Sequence, residues 1–412
     1  MSKHIPFIKK LTFNNKIIDN DFDVIESGYE NQPIFRLGYH YYTAQVREKM
    51  ENNDLRNRKF YLIVNEFEND VPDYKDNLNN RMASILKFDD STKIVSRDLY
   101  KLWEMIVYFD LANNDKNLTS VSLSDNGGFL QCISHFRNNY LNSKGDTYCY
   151  QGAAGSTEIS ECLKGNTKNN KFVKLNDSPL EQMNNTGFLS NVTALETFIK
   201  VNKLSDVDLV TGNGTVEYKK DSNMEYQLYT LLLGEIITAL SIQKDKGDFV
   251  LRIEDCFTFV TIKFLNILSD CYNNVYICKP LFSRSFNNER YIVCKKFILK
   301  GTAKTNLINK LKKLLNNMND IIKKKKYIFD IITDYTIDPQ DIKNITNINL
   351  HLVANEHINI NKVTEYKNKN NYFGEQYHKF RDNQIEANKW WEETFIKSKH
   401  TEFGSVRENL FA

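Results

Sequence analysis

Three segments of this 412-residue chain place chemically capable residues where a ligand is usually met. Ser124-Asp-Asn-Gly-Gly-Phe129 follows a strand-like run, and its paired glycines let a ligand approach the backbone while leaving helix N–H groups free. A tight turn between strand and helix has the same signature. Thr211-Gly-Asn-Gly-Thr215 sets Asn213 at the end of a second such run. Arg252 stands inside an apolar run between Leu251 and Ile253, where a charge is costly unless it reaches a partner or a site. An ordinary ion pair with Glu254 or Asp255 is the competing explanation. Two basic stretches, Lys310-Leu-Lys-Lys-Leu-Leu315 and Lys323-Lys-Lys-Lys326, read either as a phosphate-binding stripe or as a solvated helix face.

Bulk properties narrow the classes. Hydrophobic residues at 41% and charged residues at 26% are globular values. With 55 basic and 52 acidic side chains the net charge is only +3, so any nucleic-acid site has to be a local patch. The 7 cysteines, Cys132, Cys149, Cys162, Cys256, Cys271, Cys278 and Cys294, form no C-x-x-C pair and have no histidine cluster beside them. They read as reduced core thiols, and no metal is expected. No apolar run approaches the roughly 18 to 20 residues of a membrane span, and the first residues lack a signal-peptide core. A soluble, cytoplasmic protein without membrane partners is expected. The Asn- and Lys-rich composition suits an AT-rich genome such as that of a large DNA virus, which would put the protein in host cytoplasm or virion.

The elements that must position these residues follow from periodicity. Leu99, Leu102, Trp103, Ile106, Val107 and Phe109 recur at helical spacing, which predicts a helix near 97–112 with Ser96 as N-cap. Strands are predicted at 119–123, 206–211, 248–253 and 274–278, alternating with helices at about 128–139, 192–202, 223–243 and 258–271. This rhythm specifies a Rossmann-like α/β fold, with a mainly parallel sheet covered by helices on both faces. Residues 290–295 follow with no room for a crossover helix, so that strand is predicted antiparallel. Leu307, Leu311, Leu314, Leu315, Met318, Ile321 and Ile322 describe an amphipathic helix. Trp390 and Trp391 fall in another at about 374–398. The expected organisation is an N-terminal extension over 1–94, a central domain over 95–298 and a helical C-terminal region over 299–412.

Lys279-Pro-Leu-Phe-Ser-Arg-Ser-Phe-Asn-Asn-Glu-Arg-Tyr-Ile-Val-Cys294 is the most informative segment. It resembles the K-P-x-x-S-R-x-x-N-x-E-x-Y-x-V run of FtsJ-like RNA ribose 2′-O-methyltransferases, especially the cap-modifying branch of eukaryotes and large DNA viruses. The Gly-Gly-Phe turn, the helix from Met224 to Ser241 and the Gly247-Asp-Phe-Val-Leu-Arg252 strand join it in the same order. The resemblance covers roughly residues 95–298. It implies S-adenosylmethionine as cofactor, held by Asn126, Gly127, Gly128, Phe129 and Asn213, and RNA near an mRNA cap as substrate, met by Ser283, Arg284 and Asn287.

The family surrounds the ribose 2′-hydroxyl with a Lys-Asp-Lys-Glu tetrad. Position by position, this resemblance places catalytic roles on Lys101, Asn213, Arg252 and Glu289. The lysine and glutamate are retained, whereas Asn213 replaces the acid and Arg252 the second lysine. An arginine keeps its charge at any relevant pH and cannot act as a general base, so Lys101 becomes the expected base. Val121 stands where the family has an acid before the glycine turn, Asn126 where it has proline, and Phe188 where it often has an acid against the adenine. The expected function is therefore a cap-type RNA 2′-O-methyltransferase with an altered tetrad. The alternative is a catalytically silent methyltransferase-like subunit that binds RNA or a partner enzyme as a scaffold.

Overall fold

The structure, a computed structural model, describes residues 4–29, 37–52, 60–71, 74–88, 93–112, 116–152, 170–174, 189–216, 224–369 and 374–397. Phe188 and Cys162 lie outside them. The strands are β1 (Phe7–Leu11), β2 (Ile25–Ser27), β3 (Leu118–Leu123), β4 (Thr147–Gly152), β5 (Asn170–Lys174), β6 (Val207–Gly212), β7 (Gln243–Ile253), β8 (Tyr272–Lys279), β9 (Arg290–Phe297) and β10 (Tyr327–Asp330). The helices are α1 (Leu37–Asn52), α2 (Phe60–Val64), α3 (Leu78–Ile85), α4 (Asp98–Phe109), α5 (Gly128–His135), α6 (Val192–Val201), α7 (Met224–Ile242), α8 (Phe259–Cys271), α9 (Gly301–Lys323), α10 (Pro339–Asn368) and α11 (Glu375–Glu392).

Eight strands form one sheet in the order β1-β8-β9-β7-β6-β3-β4-β5, while β2 and β10 pair separately. The β3–β4, β3–β6, β4–β5 and β6–β7 pairs are parallel, and β9 runs antiparallel to both β7 and β8. The mainly parallel Rossmann-like sheet and its antiparallel strand are therefore as the alternation predicted. Alternate residues divide the interior. Val210, Phe249, Leu251 and Ile292 join the core beneath α7, α8 and α9. Leu209, Val250, Tyr291 and Val293 join the one beneath α4, α5 and Trp391 of α11.

Several boundaries differ from expectation. The sheet does not stop at residue 95, because Phe7–Leu11 of the N-terminal extension adds a second antiparallel strand beside β8. Five residues containing two lysines carry too weak an alternation to announce it. The expected Ser96 N-cap is displaced: α4 starts at Asp98, Arg97 occupies the cap position without a side-chain bond, and the Ser96 hydroxyl accepts from the Asp98 N–H at 3.2 Å. The stretch after residue 335 contains α10, 30 residues long, started by the Asp338 side chain and Pro339.

Along α9 the predicted apolar stripe is buried except Ile322, which is 39% exposed. Among the helix's basic residues Lys310 pairs with Asp21, Lys312 with Glu196 and Lys323 with Asp320, and Lys326 just beyond it pairs with Glu26. That is the solvated-face arrangement. Six cysteines are free and buried. Among the described residues no cluster of three or more His, Cys, Asp or Glu is placed to hold a metal, and no helix is long and apolar enough to cross a membrane.

Candidate active site

Four elements bring the site together at the C-terminal rim of the sheet. Helix α4 supplies Asp98 and Lys101, the turn after β6 supplies Asn213, β7 supplies Arg252, and Glu289 immediately precedes β9. Lys101 Nζ lies 2.7 Å from Asp98 Oδ1 and 2.6 Å from Glu289 Oε1. Arg252 Nη2 lies 2.7 Å from Glu254 Oε1 and 3.8 Å from Glu289 Oε2. Asn213 Nδ2 donates to Asp98 Oδ2 at 3.1 Å. Lys101, Asn213, Arg252 and Glu289, spread over 189 positions of sequence, thus share one continuous polar network.

Glu289 is the hub. Its Oε1 also accepts from Ser283 Oγ and Tyr291 Oη, each at 3.0 Å. Burial alone would raise its pKa, but Lys101 and Arg252 prevail and hold the carboxyl far below the usual range. Asp98 is likewise lowered against its burial, by Lys101. Glu254 goes the other way, because desolvation outweighs its pairing with Arg252. Arg252 is the most accessible member, with its side chain 18% exposed against 5–6% for Glu289 and Lys101. Asp255, the other candidate partner, instead pairs with Arg47 and Arg290.

The glycine turn has its own logic. Gly127 takes φ of +93°, a left-handed conformation open to glycine at no steric cost. At Gly128 a Cβ would come within 2.9 Å of Asp98 Cβ, so its bareness allows α5 to abut α4 just where Asp98 must reach Lys101. The buried Asp125 carboxylate accepts from the N–H groups of Phe129 and Leu130 at 3.1 Å, occupying the helix terminus from inside the chain. Burial pushes its pKa up to about 6. Phe129 is fully buried beside Tyr291, while Asn126 is exposed.

Of the buried polar atoms without a hydrogen-bond partner among the described residues, Ser124 Oγ and Asn213 Oδ1 lie beside the glycine turn. They sit at the ends of adjacent strands, linked by the Asn213 N–H to the Leu123 carbonyl at 3.1 Å. Unpaired buried groups are costly, so a free donor–acceptor and a free acceptor beside a glycine turn fit a ligand rich in amine and hydroxyl groups. S-adenosylmethionine has that character.

The predicted substrate residues are partly engaged within the protein. Ser283 binds Glu289. Arg284 Nε donates to Glu68 at 2.8 Å, with its guanidinium over the Tyr61 ring. Asn287 receives Lys279 Nζ on both its carbonyl and its side chain. Burial lowers the Lys279 pKa to about 8.

Sequence reasoning missed Asp98, Asp125 and Glu235. Glu235 binds the Gly214 N–H at 3.1 Å, and burial raises its pKa to about 8. Its signal was a lone acid amid Leu231-Leu-Leu-Gly-Glu-Ile-Ile237 of an apolar helix.

A Rossmann-like sheet whose rim joins a glycine turn to a lysine, an amide, an arginine and a glutamate defines a methyltransferase-type domain. Residues 94–297 match the model of the FtsJ-like methyltransferase family, and this domain belongs to that family. The chain is similar to Cap-specific mRNA (nucleoside-2′-O-)-methyltransferase 1 of Dictyostelium discoideum, with 32% identity over 130 residues covering 32% of this chain and 16% of that protein. It is also similar to African swine fever virus "Probable methyltransferase EP424R", with 26% identity over 246 residues covering 57% of this chain and 56% of that protein. The matches thus span less than two thirds of either relative. A Plasmodium falciparum structure assigned as a ribosomal RNA methyltransferase aligns at a TM-score of 0.35 and 17% identity, covering 50% of this chain and all of that one.

Proposed function

We propose that the protein is an S-adenosylmethionine-dependent RNA methyltransferase acting on a ribose 2′-oxygen, near the cap of mRNA, in the cytoplasm. The observation that carries this reading is the shared network of Lys101, Asn213, Arg252 and Glu289 beside the glycine turn. When bound, S-adenosylmethionine supplies a methyl group activated on a sulfonium. Asn213, Ser124 and the backbone at Asn126 and Gly127 would hold it.

The remaining work falls to side chains of this chain. Ser283 and the exposed edge of Arg252 orient the ribose and its neighbouring phosphate. In its neutral form, after releasing its own ammonium proton to solvent, Lys101 Nζ receives the proton of the 2′-hydroxyl as that oxygen becomes the nucleophile. Asp98 and Glu289 aim the lysine. Arg252 keeps a fixed positive charge beside Glu289, so the carboxylate stays compensated when Lys101 is neutral.

The cap-specific mRNA methyltransferase relative supports the RNA and cap assignments, and the viral relative supports the methyltransferase class. Isothermal calorimetry tests the cofactor part: saturable binding of S-adenosylmethionine, weakened at least about tenfold by Asn213→Ala, is expected. No binding at millimolar concentration would reject it.

One observation favours a second reading, in which the domain is catalytically silent and serves as an RNA- or enzyme-binding subunit. Arg252 is committed to Glu254 and cannot accept a proton. The pair of changes Asn213→Asp and Arg252→Lys separates the two. Transfer appearing only in that double variant supports the silent subunit, and transfer by the unaltered protein excludes it.

A further inference from the structure

A second concavity begins where the site ends. It has a volume of about 1680 Å³, larger than the roughly 300–1,000 Å³ of a small-molecule pocket, and lies outside most of the family domain. One wall is the outer edge of β1, which among the described residues pairs only with β8 on its other side. The opposite wall is a face of α10 carrying Asn344, Asn347, His351, Asn355, Asn359 and Lys362. Those positions recur at the helical period, so they form one stripe, about 27 Å long at 1.5 Å per residue. Lys279, Ser283 and Ser285 line it as well, and the Ser283 hydroxyl also reaches Glu289.

Its chemistry is that of a polyanion track. Five lysines and two glutamates line it, in a protein whose overall charge nearly cancels. Lys9, Lys10 and Lys362 are exposed and form no ion pair among the described residues, whereas Lys310, Lys312 and Lys323 of α9 are paired. The amide stripe offers donors and acceptors together, as base edges require. Phe7 and His351 stack across the two walls with centroids 5.0 Å apart, an aromatic platform part-way along. A protein strand added to the β1 edge would meet the same lysines, which are the residues that blunt such pairing.

We propose that this groove binds single-stranded RNA and leads it to the rim holding Glu289. The proposal deepens the methyltransferase reading and rests on it for the direction of the strand. The N-terminal strand and the C-terminal helices are then not appendages: they build the substrate track.

Fluorescence anisotropy of a labelled capped oligoribonucleotide on the full-length protein, without methyl donor, tests it. Lys9→Glu/Lys10→Glu/Lys362→Glu is expected to weaken binding at least about tenfold and to flatten the slope of log affinity against log salt by about 2, as loss of three phosphate contacts to a single strand requires. Asn355→Ala/Asn359→Ala is expected to weaken binding with the slope unchanged. Lys323→Glu/Lys324→Glu at the C-terminal end of α9 should bind as the unaltered protein does. Circular dichroism confirms that each variant is folded.

Unchanged affinity and slope in the folded triple variant overturns the proposal, as does an equal loss in the α9 control. Displacement of the RNA by polyglutamate at equal charge concentration also overturns it, by making the groove a site for acidic protein. Because no turnover is needed, a protein that binds RNA here yet transfers no methyl group leaves the track standing and removes only the enzymatic reading.

Discussion

Arg252 donates to Glu254 at 2.7 Å while remaining 3.8 Å from Glu289, so a single guanidinium serves two buried carboxylates. Arg252 is the penultimate residue of β7 and Glu254 the first residue after it, so the two side chains are near enough along the chain to meet. An arginine in the apolar strand is stable because that second acid travels with it. Asn213 is accommodated in a parallel way: its amide donates to Asp98, where an acid would set two carboxylates against each other.

Among the described residues Lys101 is the only cation at ion-pair distance from both Asp98 and Glu289. Lys101→Met leaves both buried carboxylates without it, and breaking a buried pair by removing one partner typically costs about 3–5 kcal/mol. Urea denaturation of Lys101→Met should show a loss of that order, and Lys101→Met/Glu289→Gln should recover part of it. A loss below about 1 kcal/mol would mean that the network is not formed.

Gly128 keeps α5 against α4. An alanine Cβ would lie 2.9 Å from Asp98 Cβ and 3.0 Å from Ser96 Cβ, closer than carbon atoms pack. Gly128→Ala is expected to destabilise by about 1–3 kcal/mol, the usual range for overpacking, and to lower methyl transfer further by displacing Asp98. A thermal melt paired with an activity assay checks both parts. A stabilised variant would contradict the contact, since alanine is otherwise the better helix former.

Glu104 ties the 281–282 turn to α4. Its carboxylate accepts from the N–H groups of Leu281 at 2.7 Å and Phe282 at 3.1 Å, and from Trp391 Nε1 at 3.1 Å. Glu104→Ala strands three buried donors at about 1–3 kcal/mol each, so a loss of at least about 3 kcal/mol is expected in urea denaturation. Ser283 follows this turn directly, so RNA binding should weaken as well.

Burial pushes Glu104 and Glu235 up to about 8. A carboxyl whose folded pKa exceeds its unfolded value of 4.5 contributes stability that is complete below 4.5 and lost as pH rises through 8. Asp98 and Glu289, held low, contribute stability that is present above the ordinary acid range and lost on acidification. Stability should therefore peak in mildly acidic solution and decline toward pH 8. Denaturation midpoints across this window are expected to fall less steeply in Glu235→Gln, and an unchanged slope would contradict the assignment.

The parts of the fold legible in the sequence were those with strong local signals. The apolar spacing of α4 and the β-rich runs around Leu209 and Phe249 announced the sheet because each element buries one clear face. The strand β1 was hidden because it is short and half charged, and it gains its place only from long-range pairing with β8. At the site, resemblance placed Lys101 and Glu289, and the apolar neighbours of Arg252 marked it as exceptional. Glu254 was already named as a candidate partner of Arg252, whereas Asp98 was less visible, because a carboxylate three residues from a cation resembles any surface pair until burial is known.

The most direct measurement is transfer of labelled methyl groups from S-adenosylmethionine to capped RNA, with nuclease digestion to locate the label. The account predicts a 2′-O-methylated nucleotide next to the cap, formed by the unaltered protein and lost in Lys101→Ala. Label at a base or at no position, or transfer that survives Lys101→Ala, would contradict it.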